Sequence, residues 1–301
     1  MRYDNYNSRN YCNDGCWNNR DKKYTLERIL INLIKTSCKE YVEIRKKTLK
    51  EEISKFKRKP CLVVIQVDDD PASTSYIKGK KKDCEEVGIV CEHIHINSEE
   101  VREGVLACVI GGYGVADNVD GIIIQLPIPD KYNLDRLLEN IPAAKDVDGF
   151  RRDSCFKPCT PKGIMDWLDY NKVELSGKDV CVIGRSNIVG KPLVNMMIDA
   201  GATVACCNSK TKDLKYYTRN ADIVVSAIGK AKYFDSTYFK QGQIIVDVGI
   251  NRDENGKLCG DVDGKYVYDS YVTSVPGGVG LLTRNALIEN VVTAYKLQNG
   301  E

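Results

Sequence analysis

Lys178-Asp-Val-Cys-Val-Ile-Gly184-Arg-Ser-Asn-Ile-Val-Gly190 is an apolar run that breaks at a glycine, turns through polar residues and reaches a second glycine before a helix-like stretch. Strand, tight loop and helix in that order leave the first backbone N–H groups of the helix free to hold an anion. The loop departs from the G-x-G-x-x-G pattern, because Ser186 stands at the second glycine and Gly190 is displaced. By itself it is weak, and a plain tight turn accounts for it. Its setting is stronger. Helix 191–200, strand 203–207, helix 211–219, strand 222–227, helix 235–240 and strand 243–248 alternate, which predicts a doubly wound, Rossmann-type domain with a dinucleotide on Gly184, Arg185, Ser186, Ile188, Val189 and Gly190.

The second strand of that series ends Cys207-Asn-Ser-Lys210, without the acid that usually binds the ribose 2′-hydroxyl of NAD. A 2′-phosphate suits Ser209, Lys210 and Arg185, so the sequence predicts NADP.

A similar alternation precedes it: strand 61–67, helix 75–87, strand 89–96, helix 99–111, strand 121–124 and a helix near 134–140. This predicts a second parallel sheet covered by helices, hence an α/β chain of two domains with a cleft between them. Ligands of such sheets sit beyond the carboxyl ends of the strands. Three features fall there: Pro71-Ala-Ser-Thr-Ser-Tyr76-Ile-Lys-Gly-Lys80, Gln125-Leu-Pro-Ile-Pro129 and Lys145-Asp-Val-Asp-Gly149. Ser73 or Thr74 is the expected helix cap, and Tyr76 and Lys80 then share a helix face. The spacing suits a proton-handling pair and equally a solvated face of the basic run Lys78-Gly-Lys80-Lys-Lys82. Gln125 either caps the sheet or serves a ligand.

Residues 24–57 carry helical apolar spacing, whereas 1–23 are polar and aperiodic and read as a disordered tail. The expected units are that tail, a substrate domain over 24–155 joined by a returning helix over 284–301, and the nucleotide domain over 156–283. Charged residues make up 29% of 301 residues with a net charge of +2, which gives no electrostatic case for nucleic acid or membrane. No apolar run approaches a membrane span, so the cytoplasm is the default compartment. Thirteen cysteines lie mostly in apolar runs and read as reduced core thiols. Their spacing with His93 and His95 does not suit a metal site.

Taken together, these segments resemble the bifunctional methylenetetrahydrofolate dehydrogenase/methenyltetrahydrofolate cyclohydrolase family from about Pro60 to Thr293. Asp69-Asp-Pro-Ala-Ser73, Tyr76-Ile-Lys-Gly-Lys80, Asp120-Gly-Ile-Ile-Ile-Gln-Leu-Pro127, Lys145-Asp-Val-Asp-Gly149, Pro158-Cys-Thr-Pro161, Gly184 to Pro192, Val246-Asp-Val-Gly-Ile-Asn251, Gly260-Asp-Val-Asp263 and Val275-Pro-Gly-Gly-Val-Gly280 occur in the family's order. The resemblance implies Lys80 as the essential lysine of the cyclohydrolase step, Tyr76 as the ring on which folate stacks, Gln125 as the partner of that lysine and Asp148, rather than Asp146, as the pterin anchor. Ile124, Leu126 and Pro127 join the substrate set, with Pro276, Gly277 and Gly278 closing over it. Arg185, Ser186 and Ser209 match the NADP set, Ile250 faces the cofactor, and a homodimer is implied.

The chain departs from the family in three places. The segment from Gly149 to Pro158 is short and lacks an Asn-x-Gly element, Ser274 and Leu281-Leu282 stand where Pro and Pro-Met are usual, and the amino-terminal opening strand is replaced by an extension.

Hydride transfer from the methylene carbon needs orientation rather than a protein acid or base, whereas opening the methenyl ring needs protons moved. An ordinary lysine is neutral in roughly one molecule in a few thousand at pH 7. A basic Lys80 therefore depends on burial beside the cationic methenyl carbon, and on a partner such as Gln125 that adds no charge. A short-chain dehydrogenase also uses Tyr-x-x-x-Lys, but there the dinucleotide fold precedes the pair and here it follows. A homologue that binds folate or NADP without turnover is the rival outside enzymes.

Overall fold

The computed structural model describes residues 38–264 and 270–300, apart from the side chain of Ala72. The expected tail over 1–23, and the part of the 24–57 helical stretch before residue 38, lie outside these residues. The first sheet is built on β1 (Cys61–Val67), all seven of whose residues are buried. It is flanked by β2 (Val90–Ile96) and β3 (Gly121–Gln125) in the order β2-β1-β3, all parallel, with Ile65 beside Ile94 on one side and Ile124 on the other. A parallel strand covered on both faces needs a near-continuous apolar run, and Cys-Leu-Val-Val-Ile-Gln-Val supplies it. One face, with Leu62, Val64 and Ile123, packs on α1 (Cys38–Ile53), α2 (Pro71–Val87) and α8 (Val279–Asn299). The other, with Val63, Ile65, Ile122 and Ile124, packs on α3 (Glu103–Val115) and α4 (Leu134–Leu138).

The second sheet contains β4 (Asp179–Ile183), β5 (Thr203–Cys207), β6 (Ile223–Ser226), β7 (Ile244–Asp247) and, after a small β8–β9 hairpin at Asn251–Arg252 and Leu258–Cys259, β10 (Tyr271–Val272). Its order is β10-β7-β6-β4-β5, again parallel. The helices α5 (Cys159–Tyr170), α6 (Gly190–Asp199) and α7 (Leu214–Asn220) are the other helices among the described residues. In both sheets the strand order reverses about the first strand, β1 or β4. The crevice at the carboxyl end of that strand is where an open α/β sheet receives its ligand.

Several helix limits differ from the sequence expectation, each for a local reason. Helix α2 starts at Pro71, because Asp70 rather than Ser73 or Thr74 is the cap: its carboxylate accepts the Ser73 N–H at 2.6 Å. Pro71 lacks an N–H that would have been unsatisfied there in any case. Helix α8 starts at Val279 rather than at residue 284, and the Thr283 hydroxyl donates back to the Val279 carbonyl at 3.1 Å within its first turn. The stretch 235–240 forms only a 3₁₀ turn, Ser236–Tyr238. No helix among the described residues is long and apolar enough to cross a membrane.

Candidate active site

Helix α2 leaves the end of β1 with Tyr76 and Lys80 one turn apart. Lys80 is only 6% exposed, whereas its neighbours Lys78, Lys81 and Lys82 are all exposed. Burying an ammonium is costly without partners. Lys80 Nζ donates to Gln125 Oε1 at 3.1 Å and lies 5.5 Å from the centre of the Tyr76 ring. Gln125, the last residue of β3, is fixed in turn by its own amide, which donates to the Leu126 carbonyl at 2.8 Å. The Ser73 hydroxyl donates to the same carbonyl at 3.1 Å, tying the start of α2 to the end of β3.

Asp148 is buried in the turn after Lys145. Burial raises its carboxyl above the usual range, Asp146 adds to this, and the ammonium of Lys80 and the thiol of Cys159 oppose it. Asp148 is thus near enough to Lys80 for their charges to interact. Asp146 is engaged elsewhere: one carboxylate oxygen accepts the Arg151 N–H at 2.9 Å and the other is buried without a partner among the described residues. Tyr76 is half-buried, and its hydroxyl donates to the Gly280 carbonyl at 3.4 Å. Burial pushes the phenol up to about 12, with the Arg284 guanidinium opposing. It remains a neutral ring beside Lys80 at physiological pH.

The remaining substrate candidates divide. Leu126 and Pro127 reach the rim, whereas Ile124 is 2% exposed and packs in the core beneath α3 and α4, so it does not line the cleft. The strand's alternation sends its side chain to the face beneath α3 and α4. Pro276 is exposed, and Gly277 turns with φ of +101°, in the left-handed region that glycine tolerates. This loop leads directly into α8, whose Gly280 carries the Tyr76 contact.

The short segment after Gly149 folds back beneath the site. A Cβ on Gly149 would stand 2.7 Å from Pro158 N, and Arg151 is held by the carbonyls of Leu138 and Ile141.

At the end of β4, Gly184 has φ of +119° and Gly190 lies against its carbonyl so closely that a Cβ there would collide with it. The Ser186 hydroxyl accepts the N–H groups of Val189 at 3.2 Å and Gly190 at 3.4 Å. Arg185, Ser186, Ser209 and Lys210 are exposed around the ends of β4 and β5, with no carboxylate in residues 206–212. Ile188 and Val189 are half-buried in the same loop. A glycine-lined turn at a helix start, with cationic and hydroxyl donors beside it, fits a pyrophosphate and a 2′-phosphate. Ile250 leaves the end of β7 56% exposed, with its Cδ1 3.7 Å from where a Cβ on Gly280 would lie. An apolar side chain thus lies beside the start of α8.

Sequence reasoning did not single out Gly79, Cys159 and Arg284. Cys159 is buried with its thiol donating to the Val147 carbonyl at 3.2 Å. A glycine inside a helix was the available signal for the other two.

Comparison with known proteins covers both halves of the chain. The catalytic-domain model of tetrahydrofolate dehydrogenase/cyclohydrolase matches residues 34–148, and the NAD(P)-binding-domain model of the same family matches residues 158–299. The bifunctional protein FolD of Campylobacter jejuni is 46% identical over 266 residues, which span 83% of this chain and 94% of that protein. A crystal structure of the Campylobacter jejuni FolD enzyme superposes with a TM-score of 0.84 at 44% identity, covering 87% of this chain and 98% of that one. The Trypanosoma brucei enzyme, solved with NADP and an inhibitor, gives 0.83 at 28% identity, covering 88% and 98%.

Proposed function

The chain belongs to the tetrahydrofolate dehydrogenase/cyclohydrolase family, and from that premise we propose how its own residues divide the work. The protein is a bifunctional, NADP-dependent enzyme of one-carbon metabolism. It oxidises 5,10-methylenetetrahydrofolate to the methenyl form and hydrolyses that to 10-formyltetrahydrofolate.

The observation that carries the residue assignment is the buried Lys80 ammonium with the neutral Gln125 amide as its hydrogen-bond partner. In our reading Asp148 anchors the pterin, its carboxylate accepting ring N–H groups, while Tyr76 supplies the face on which the folate stacks. Pro276, Gly277 and Gly278 close the cleft from the α8 side, and Leu126 and Pro127 form its opposite rim. The dinucleotide lies along Gly184–Gly190, with Arg185 and Ser209 on its 2′-phosphate and Ile250 against its nicotinamide end. When bound, NADP accepts the hydride from the methylene carbon. For this step the protein holds the two reactants in line and keeps water away.

Hydrolysis uses Lys80. The Lys80 amine takes a proton from the attacking water, and the resulting ammonium returns it to the folate nitrogen as the ring opens. Gln125 orients the amine without adding the negative charge that a carboxylate would bring. We further infer a homodimer formed through the cofactor domain, working in the cytoplasm.

The test is a spectrophotometric assay with methylenetetrahydrofolate and either cofactor, followed through NADPH and methenyl absorbance. Turnover with NADP, weaker with NAD, and conversion of methenyl to formyl product are expected. Tight folate binding with no NADPH formed overturns the reading in favour of a binding protein.

A further inference from the structure

Gly79 is the one glycine within α2, and a glycine inside a helix is less favourable than alanine by about 1 kcal/mol. The three atoms nearest to a Cβ built there all belong to Arg284: it would collide with Nη1 and stand 3.1 Å from Cζ. The missing side chain is therefore the seat of a guanidinium. That guanidinium forms an ion pair with Asp83, one helical turn beyond Lys80, with Nε 2.9 Å from Oδ2 but not aligned for a hydrogen bond. Asp83 is buried, and its second oxygen takes Lys46 Nζ of α1 at 2.6 Å. Arg284 itself lies in the first turns of α8, four residues after Gly280, whose carbonyl accepts the Tyr76 hydroxyl. Tyr76, Lys80 and Asp83 occupy positions i, i+4 and i+7, so the arginine crosses the same face of α2 that carries the candidate catalytic pair.

We propose that Arg284 is a positioning residue for the folate half of the site: seated over Gly79 and paired with Asp83, it pins the first turns of α8, and with them the Pro276–Gly278 loop, against the helix that carries Tyr76 and Lys80. The proposal rests on the assignment of Tyr76 and Lys80 given above. Arg284 does not touch the reacting atoms. It sets the gap between the Tyr76 ring and the closing loop, which covers folate and not the nucleotide. Its loss therefore falls on folate recognition.

Gly79→Ala, Arg284→Ala and the double variant test this, with steady-state constants for both substrates and a melting temperature for each protein. The two single variants raise KM for methylenetetrahydrofolate by about five-fold or more, while KM for NADP stays within about two-fold. A guanidinium is a flexible end that an added methyl displaces, so Gly79→Ala is harmful only while Arg284 is present, and the double variant is no worse than Arg284→Ala. Arg284→Lys recovers part of the loss, since an ammonium reaches Asp83 without the planar contact over the glycine. A normal folate KM in Gly79→Ala, equal losses from Gly79→Ala with and without Arg284, or a lowered melting temperature with no change in KM each overturn the proposal. Lys80→Met is run alongside. If that variant still hydrolyses methenyltetrahydrofolate enzymatically, the underlying assignment fails, whatever the arginine variants do.

Discussion

Asp148 carries a charge that the fold does not favour. Burial lifts its carboxyl above the usual range, and Lys80 only partly restores it. An acid whose folded pKa is raised destabilises the fold when ionised, so this cost disappears as pH falls through the raised value. Asp148→Asn is therefore expected to raise the melting temperature while raising folate KM by about ten-fold or more, the equivalent of one charge-assisted hydrogen bond. The same sign governs activity. If the ionised carboxylate binds the pterin, kcat/KM falls on acidification at a pH above the ordinary carboxylate range, and the Asn variant loses that limb. An unchanged acid limb in the variant would assign it to another group. At the nucleotide end, Arg185→Ala should raise KM for NADP by about 10- to 100-fold, the worth of a charged contact to phosphate, with little change for NAD. A comparison of both cofactors in the variant checks this.

At the scale of elements, the cofactor domain depends on two buried aspartates from different segments. Asp261 accepts hydrogen bonds from the Ser226 hydroxyl, the backbone N–H groups of Ile228, Gly229 and Lys230, and the Asn251 amide. Asp247 accepts those of Gly249, Asp261 and Val262. Together they fix the loop that leaves β6 on the ligand side of the sheet. Asp261→Ala orphans buried donors at about 1–3 kcal/mol each. A loss of at least about 3 kcal/mol in denaturant unfolding is expected, with weakened NADP binding. A variant of wild-type stability would mean the loop is held by something else. The strands themselves were legible from sequence, because buried parallel strands write themselves as Leu-Val-Val-Ile or Gly-Ile-Ile-Ile. The Asp247–Asp261 lattice was not, since it joins residues through backbone N–H groups that every sequence possesses. Helix starts were also missed: Asp70 competes with Ser73 and Thr74 as a cap, and only the path of the chain selects among them. Gly79 carried a signal, an unfavourable residue in mid-helix, whose meaning depends on an arginine 205 positions later.

Over the whole molecule, α5 and α8 pack together and bind the two sheets into one body. Lys162 reaches Glu289 at 2.5 Å and Arg45 reaches the same carboxylate at 2.8 Å, while the hydroxyls of Thr160 and Thr283 meet at 2.9 Å. Burial works against the Glu289 carboxylate, and these two cations more than offset it, holding its pKa below the usual range. Such contacts join residues more than a hundred positions apart, and no local pattern announces them. What the sequence did carry was the placement of chemistry at strand ends. Tyr76, Gln125 and Asp148 come from a helix start, a strand end and a turn, and the parallel sheet brings them to one rim. We propose that one cleft serves both reactions, and that Lys80 is needed only for the second. Stopped-flow absorbance of Lys80→Met, mixed with methylenetetrahydrofolate and NADP, measures both steps in one trace. NADPH formation is expected, with methenyl product accumulating and decaying no faster than in buffer, a loss of about 10²- to 10⁴-fold in hydrolysis. Methenyl absorbance that disappears at the wild-type rate would contradict it.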